Sequence, residues 1–333
     1  MFDLDKLLRR LLPIICVGVL INLAVTWYLA DRSNSPDWSK FSPAYLLLAA
    51  LLSLLPWFWH CVRLAIWGRF FGVKISHTNL LRIVVATDVG GTVTPQAVGG
   101  APVKMAMLVQ QGYKPGEAAT LTLLGNFEDV VFYAFAIPVS LALARPWENP
   151  LWQHAGAFLG KNGFWLVGVL LVALAVFLFF RQKSFSKNRQ AKPESRWQLL
   201  KSEFRAAMRL VRQKGRKPFV LSILALSAQW LTRFSILLAV LLALGLPEGL
   251  LHFFLLQWMV FVAMALVPTP GATGGAEAAF LLVFGKIIPK SAVGPALTGW
   301  RFLTYYFMLL VGVAILWATQ RWAGPIQPKL PDT

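Results

Sequence analysis

The sequence predicts an all-α membrane protein that crosses the bilayer several times. Of its 333 residues, 57% are hydrophobic and only 14% are charged, so the chain lacks the polar surface of a soluble globular protein. Its apolar residues fall into long uncharged stretches, which excludes disordered, collagen-like and disulfide-stapled secreted proteins. We therefore expect residues 1–333 to form a single membrane domain with about six full transmembrane helices.

The positive charge of the chain also favours a membrane. The formal net charge is +18, and residues 181–217 alone contain thirteen Lys or Arg and two acidic residues. Because basic residues collect in cytoplasmic loops beside anionic lipid headgroups, we predict a basic cytoplasmic loop and no nucleic-acid partner. Helically spaced apolar residues in this loop predict an amphipathic helix at the cytoplasmic interface. They are Trp197, Leu200, Phe204, Met208 and Val211.

Uncharged stretches of helical length predict the full spans. The first, residues 11–30, follows three basic residues and has no cleavage site, so we expect an uncleaved helix with a cytoplasmic N-terminus. Counting spans from the basic loop makes the chain multi-pass with a cytoplasmic C-terminus. The predicted spans are residues 11–30, 41–62, 118–144, 162–180, 218–247 and 291–320.

Two further segments are apolar but broken by Gly and Pro. Residues 83–112 and 250–290 are poor continuous helices, and broken segments persist in a bilayer only when buried in protein or lining a wet cavity. The span count makes the first enter and leave from the cytoplasm, and the second from outside. We therefore predict two oppositely oriented re-entrant helical hairpins. Their predicted tips contain Pro95, Gly99, Gly100, Pro268, Pro270, Gly271, Gly274 and Gly275.

The two broken segments also resemble each other. Residues 94–101 and 269–276 are identical at six of eight positions when aligned at an offset of 175. Together with the flanking spans, this predicts an inverted repeat of residues 41–144 and 218–320, a pattern typical of transporters whose site lies near the membrane midplane. The alternative is a pair of kinks at which Gly allows helices to pack closely.

The motifs of these segments resemble those of a known family. The pattern Pro268-x-Pro270-Gly271-x-x-Gly274-x-x-Glu277, with the earlier Pro95-x-x-x-Gly99-Gly100-x-x-x-Lys104, is similar to the flippase-like family that includes the transmembrane region of lysylphosphatidylglycerol synthases. The resemblance implies an inner-membrane protein that moves or binds a lipid with a polar headgroup, without implying synthase activity. The chain departs from the family pattern at Ala272, at Lys104 and at Asn126-Phe127-Glu128-Asp129.

Charged residues inside apolar segments are the candidate binding residues, because a charge in the bilayer costs several kcal/mol. One interpretation is that they pair and hold helices together. The other is that they line a polar cavity in which Lys104 and an arginine bind a lipid phosphate and a carboxylate holds an amine or a proton. Backbone N–H groups at the hairpin tips would then add to the phosphate site. The candidates are Asp88, Lys104, Glu128, Asp129, Arg233, Glu277 and Arg301.

Enzyme motifs are absent from the sequence. It contains no metal-ligand spacing, nucleotide-binding loop or CxxC pair, and no loop long enough for a soluble catalytic domain. We therefore expect no catalytic residues, metal or cofactor. The favoured function is a flippase or transporter of membrane lipids with an anionic or phosphate-bearing headgroup. An intramembrane lipid-modifying enzyme and a membrane scaffold without transport remain as alternatives.

Overall fold

The computed structural model describes Leu20 and residues 38–94, 97–144 and 196–323; for 196–200 and 320–323 it describes the backbone alone. Within these ranges every regular element is helical and there is no strand. The prediction of an all-α polytopic membrane protein is therefore confirmed. The predicted spans at 11–30, apart from Leu20, and at 162–180 lie outside the described residues, as do Pro95 and Gln96.

Four described helices are long and apolar enough to cross a membrane. They are α1 (Pro43–Phe70), α4 (Pro115–Ala144), α6 (Arg216–Ala243) and the continuous segment Lys290–Thr319, which consists of α9 (Lys290–Arg301), a π-helical turn (Phe302–Tyr306) and most of α10 (Phe307–Ala323). Helix α1 begins with Pro at its first turn, where the missing N–H costs no hydrogen bond. These helices correspond to four of the six predicted spans.

Each predicted hairpin consists of two shorter helices. Helices α2 (His77–Thr92) and α3 (Gly100–Gln110) pack together in the first, and α7 (Leu250–Ala265) and α8 (Gly275–Phe284) in the second. The first pair begins six residues before the predicted start at 83, where the Ser76 hydroxyl accepts a hydrogen bond from the Asn79 N–H and caps α2. Each turn between the paired helices coincides with the predicted Gly/Pro cluster.

The two halves of the chain match element by element. Helices α1 and α6 each have 28 residues, α2 and α7 each have 16, and α4 and the segment Lys290–Thr319 each have 30. The second helix of each pair begins at Gly100 and Gly275, which is an offset of 175. The match between residues 94–101 and 269–276 is therefore part of a correspondence between the two halves that extends over four successive elements.

The two largest hydrophobic cores each contain residues of both halves. One is built around α1 and α2 with Leu309 and Leu316 of α10, and the other around α6 to α9 with Ala144 of α4. The last long helix of each half therefore contributes to the core of the other half.

The basic segment contains helix α5 (Arg196–Lys214), which packs against α4. Ala207 is buried on its apolar side, and Phe204, Met208 and Val211 are half-buried. A carboxylate oxygen of Glu203 accepts a hydrogen bond of 3.0 Å from the Gly116 N–H in the first turn of α4. The predicted amphipathic helix thus uses part of its apolar face against the protein itself.

Candidate functional site

A polar cavity of about 760 Å³ lies between the two halves. Its wall contains residues of the long helices α1, α4, α6, α9 and α10, of the first helix pair α2–α3, of α7 and of both turns. Five of the seven predicted candidates line it: Asp88, Lys104, Asp129, Arg233 and Arg301. Glu128 and Glu277 do not line it, although each contacts an arginine that does.

The turns of the two helix pairs share an unusual backbone conformation. Ala97 has φ of 57° and Ala272 has φ of 53°, and these alanines occupy equivalent positions at the offset of 175. Both line the cavity. Equivalent threonines also close the turns, because the Thr94 hydroxyl accepts from the Gly99 N–H at 2.8 Å and the Thr269 hydroxyl donates to the Thr273 carbonyl at 2.9 Å.

Most of the tip glycines allow close packing. A Cβ on Gly99 would lie 2.6 Å from the Gly90 carbonyl oxygen, and one on Gly271 would lie 1.9 Å from the Tyr305 ring. Gly100 and Gly271 line the cavity, whereas Gly99, Gly274 and Gly275 do not. The Gly274 N–H donates to Glu277 at 2.8 Å, so this N–H and that of Gly99 already have partners.

Lys104 and Arg233 are the cavity cations without an acidic partner. Among the described residues neither forms an ion pair within 4.0 Å or a hydrogen bond, whereas Arg63 and Arg301 do. The Arg233 guanidinium lies 5.4 Å from the Trp230 ring centroid and 5.8 Å from that of Phe261, within the range of cation–π attraction. Both cations are half-buried and keep their hydrogen-bond donors available to the cavity.

Two tryptophans orient the aspartates of the cavity. The Trp57 indole donates to Asp88 at 2.7 Å, and the Trp230 indole donates to Asp129 at a longer 3.4 Å. Trp57 and Trp230 lie on α1 and α6, each 14 residues after the first residue of its 28-residue helix, so they occupy equivalent positions in the two halves. The two halves therefore contribute one indole each, whereas both carboxylates come from the first half.

The two remaining predicted carboxylates are in buried ion pairs. Glu128 contacts Arg63 at 2.6 Å and accepts from the Trp67 indole at 2.8 Å, while Glu277 contacts Arg301 at 2.8 Å. All four charged side chains are at most 7% exposed. Glu128 and Asp129 thus separate as adjacent helix positions require, one into an ion pair and the other toward the cavity. Both carboxylates are therefore in ion pairs and neither lines the cavity.

Sequence reasoning missed several lining residues. His60, Arg63 and Gln229 line the cavity, although none of them was among the predicted candidates. His60 and Arg233 occupy equivalent positions on α1 and α6, three residues after the paired tryptophans. Aligning α1 with α6 from their first residues, at an offset of 173 instead of the 175 of the turns, pairs the two tryptophans and pairs His60 with Arg233. In the described ranges no cluster of three His, Cys, Asp or Glu could hold a metal ion.

The fold and this cavity define a polytopic α-helical membrane protein with a charged internal site. The sequence profile of the lysylphosphatidylglycerol synthase TM region family matches residues 15–312, and the chain belongs to this family. It is also similar to a UPF0104 membrane protein of Archaeoglobus fulgidus, with 25% identity over 321 residues that cover 89% of this chain and 94% of the relative. The family assignment agrees with the resemblance read from the hairpin motifs.

Proposed function

We propose that the protein binds the phosphate-bearing headgroup of a membrane lipid in the central cavity and carries it across the bilayer. The observation that supports this most directly is the pair of cavity cations, Lys104 and Arg233, which lack an acidic partner in the described chain. Arginine binds phosphate through a planar fork and lysine as a point charge. A volume of about 760 Å³ is also in the range of small-molecule sites.

The cavity wall carries two aspartates as well as the two cations. Asp88 and Asp129 place two negative charges on the wall that carries the two unpaired cations, so the four formal charges cancel. Because neither aspartate forms an ion pair with Lys104 or Arg233, we expect anionic oxygens of the ligand to bind these two cations. Asp88 and Asp129 then serve to hold a hydroxyl or amine of the headgroup, since an ionised carboxylate only accepts hydrogen bonds.

The repeat supports translocation over static binding. Inverted repeats with broken helices meeting at the midplane are typical of transporters that alternate access to one central site. We propose that the pairs α2–α3 and α7–α8 are re-entrant hairpins that enter the membrane from opposite faces. We also propose that the protein lies in the inner membrane with both termini in the cytoplasm. The equal lengths of corresponding helices and the shared alanine conformation are consistent with such a repeat.

Topology is testable with single cysteines in a chain freed of Cys16 and Cys61. Lys114 precedes α4 and Glu248 precedes α7, and both are exposed. A membrane-impermeant maleimide applied to intact cells should label a cysteine at 248 and not one at 114. Labelling of both or of neither with intact cells would contradict the opposed hairpins, provided that both react after the cells are opened.

Transport is tested by headgroup accessibility of fluorescent phosphatidylglycerol, with phosphatidylcholine beside it, in liposomes that contain the purified protein. Lys104→Ala and Arg233→Ala should each slow movement about tenfold or more, because a charged hydrogen bond contributes about 1.5–3 kcal/mol. Lys104→Arg should keep most activity. The matched control is Lys286→Ala, at an exposed lysine outside the cavity wall.

The same liposomes separate this proposal from its alternatives. Movement that equals that of empty liposomes, with a folded protein, would overturn transport. Mass analysis of the extracted lipid then decides between the remaining classes, since a modified lipid formed with an added donor indicates an intramembrane enzyme. Unchanged lipid and no movement indicate a scaffold.

A further inference from the structure

A second, apolar groove of about 450 Å³ lies between α4 and α6. Its walls are almost entirely hydrocarbon, with Phe135 and Val139 on one side and Val220 and Leu224 on the other. These four side chains are 51–72% exposed, so the groove opens away from the described protein. Its single polar lining residue, Ser227, donates its hydroxyl to the Ile223 carbonyl at 2.9 Å and presents no free donor.

The groove adjoins the polar cavity at one aromatic contact. Trp230 lines the cavity, Phe132 lines the groove, and their rings are nearly parallel, with centroids 6.1 Å apart. On α6, Ser227 of the groove is one turn before Trp230, and on α4, Asp129 of the cavity is one turn before Phe132. The change from charged to apolar lining therefore occurs within one helical turn on both helices.

We propose that the α4–α6 groove holds a hydrocarbon chain of the same lipid whose headgroup lies in the cavity, with Trp230 and Phe132 at the junction. This inference rests on the proposed function, because it assigns the second half of the same ligand. A charged cavity that adjoins an apolar groove matches an amphiphile. Helices α4 and α6 are both long enough to place the groove in the bilayer. Since lipid tails are as apolar as Leu, the groove contributes packing and position more than hydrophobic free energy.

Photolabelling distinguishes a chain held by its headgroup from ordinary surrounding lipid. The probe is phosphatidylglycerol with a diazirine in one acyl chain, in liposomes that contain the full-length protein. We expect strong labelling of peptides 131–139 and 219–227. In the double variant Lys104→Ala/Arg233→Ala this labelling should fall severalfold, while labelling of the outer face of α1 at the exposed Leu47 and Leu51 should not change.

A matched pair of alanines on α4 tests the groove directly. Ala136 lines the groove, whereas Ala134 is exposed and does not line it. Ala136→Trp should fill the groove and reduce labelling of peptide 219–227, and Ala134→Trp should leave that labelling as in the unsubstituted protein. Both variants keep the cavity residues, so a difference in lipid movement between them reports whether the groove affects transport.

Two results would overturn the proposal that the groove holds a hydrocarbon chain of the lipid. Groove labelling that is equal in the unsubstituted protein and the Lys104→Ala/Arg233→Ala variant would mean that bulk lipid fills it. An absence of groove labelling in the unsubstituted protein would mean that another part of the polypeptide covers the groove. If lipid movement still depends on Lys104, only the proposal for the groove is overturned. If neither lipid movement nor groove labelling depends on Lys104 and Arg233, the proposed function is overturned as well.

Discussion

Ala97 and Ala272 adopt the same left-handed backbone conformation at positions 175 residues apart. They are the non-glycine residues with positive φ in the described ranges, at 57° and 53°. The left-handed helical region costs an L-residue roughly 1–2 kcal/mol, so two equivalent alanines in it indicate that the turn geometry is imposed by its surroundings. Each follows a threonine three residues earlier whose hydroxyl closes the turn. The turn is thus a repeated unit of the fold.

Replacing either alanine with glycine should not destabilise the protein. Glycine removes the steric penalty at positive φ, which offsets the about 0.5–1 kcal/mol of backbone entropy that glycine usually costs. We expect Ala97→Gly and Ala272→Gly to unfold thermally in detergent at or slightly above the normal temperature. Ala276→Gly, at a buried helical alanine, is the control and should lower the free energy of unfolding by about 1 kcal/mol. A loss as large as that of the control would argue against strain at these turns.

The Glu277–Arg301 pair should matter for stability more than for ligand binding. Both side chains are 1% exposed, and the carboxylate also accepts from the Gly274 N–H at the start of α8. Glu277→Gln leaves a buried guanidinium without its counter-charge, which costs about 3–5 kcal/mol. We expect a clear fall in the thermal midpoint of the purified protein, and no such fall for Glu248→Gln at an exposed site.

A double variant separates the charge effect from loss of packing. Replacing the pair by apolar residues of similar size, Glu277→Leu with Arg301→Met, removes both charges together and should recover much of the stability that Glu277→Gln loses. If Glu277→Gln unfolds at the normal temperature yet abolishes lipid movement, Glu277 acts on the ligand and our structural assignment of this residue is wrong.

Gly116 should control the docking of α5. A Cβ at this position would lie 2.3 Å from the Glu203 Cβ and 2.5 Å from the Phe204 backbone N, so Gly116→Ala must push α5 away from α4. We expect faster trypsin cleavage at the exposed Arg205, Arg209 and Arg212. Glu203→Gln keeps the side-chain shape and weakens the hydrogen bond alone, so its effect should be smaller. Equal cleavage rates for Gly116→Ala and the unsubstituted protein would show that the contact does not hold α5.

Sequence patterns alone predicted most of the fold. Hydropathy placed the four described long helices to within about eight residues at each end, because transfer into a bilayer depends on composition and length. The Gly/Pro clusters located both helix-pair turns, because these residues break the backbone ladder. The Lys/Arg-rich segment gave an amphipathic helix by its periodicity. The membrane insertion of the helix pairs, and their direction, remain predictions.

The partner of each charged residue required the tertiary structure. The sequence marked Lys104, Arg233, Asp88, Asp129, Glu128, Glu277 and Arg301 as costly in a bilayer, and the same reasoning applied to all seven. Arg63 is outside that set because it follows the predicted second span at 41–62, and it forms a pair with Glu128 from 65 residues away. Glu277 pairs with Arg301 and Glu128 pairs with Arg63, whereas Lys104 and Arg233 line the cavity. The packing of helices that are distant in sequence determines which of these charges are close enough to pair. Composition and periodicity are local properties of a chain, and they determined the class of protein and its helices. Ion pairing depends on distances between segments, so tertiary packing decided which charges pair with each other and which line the cavity without a partner.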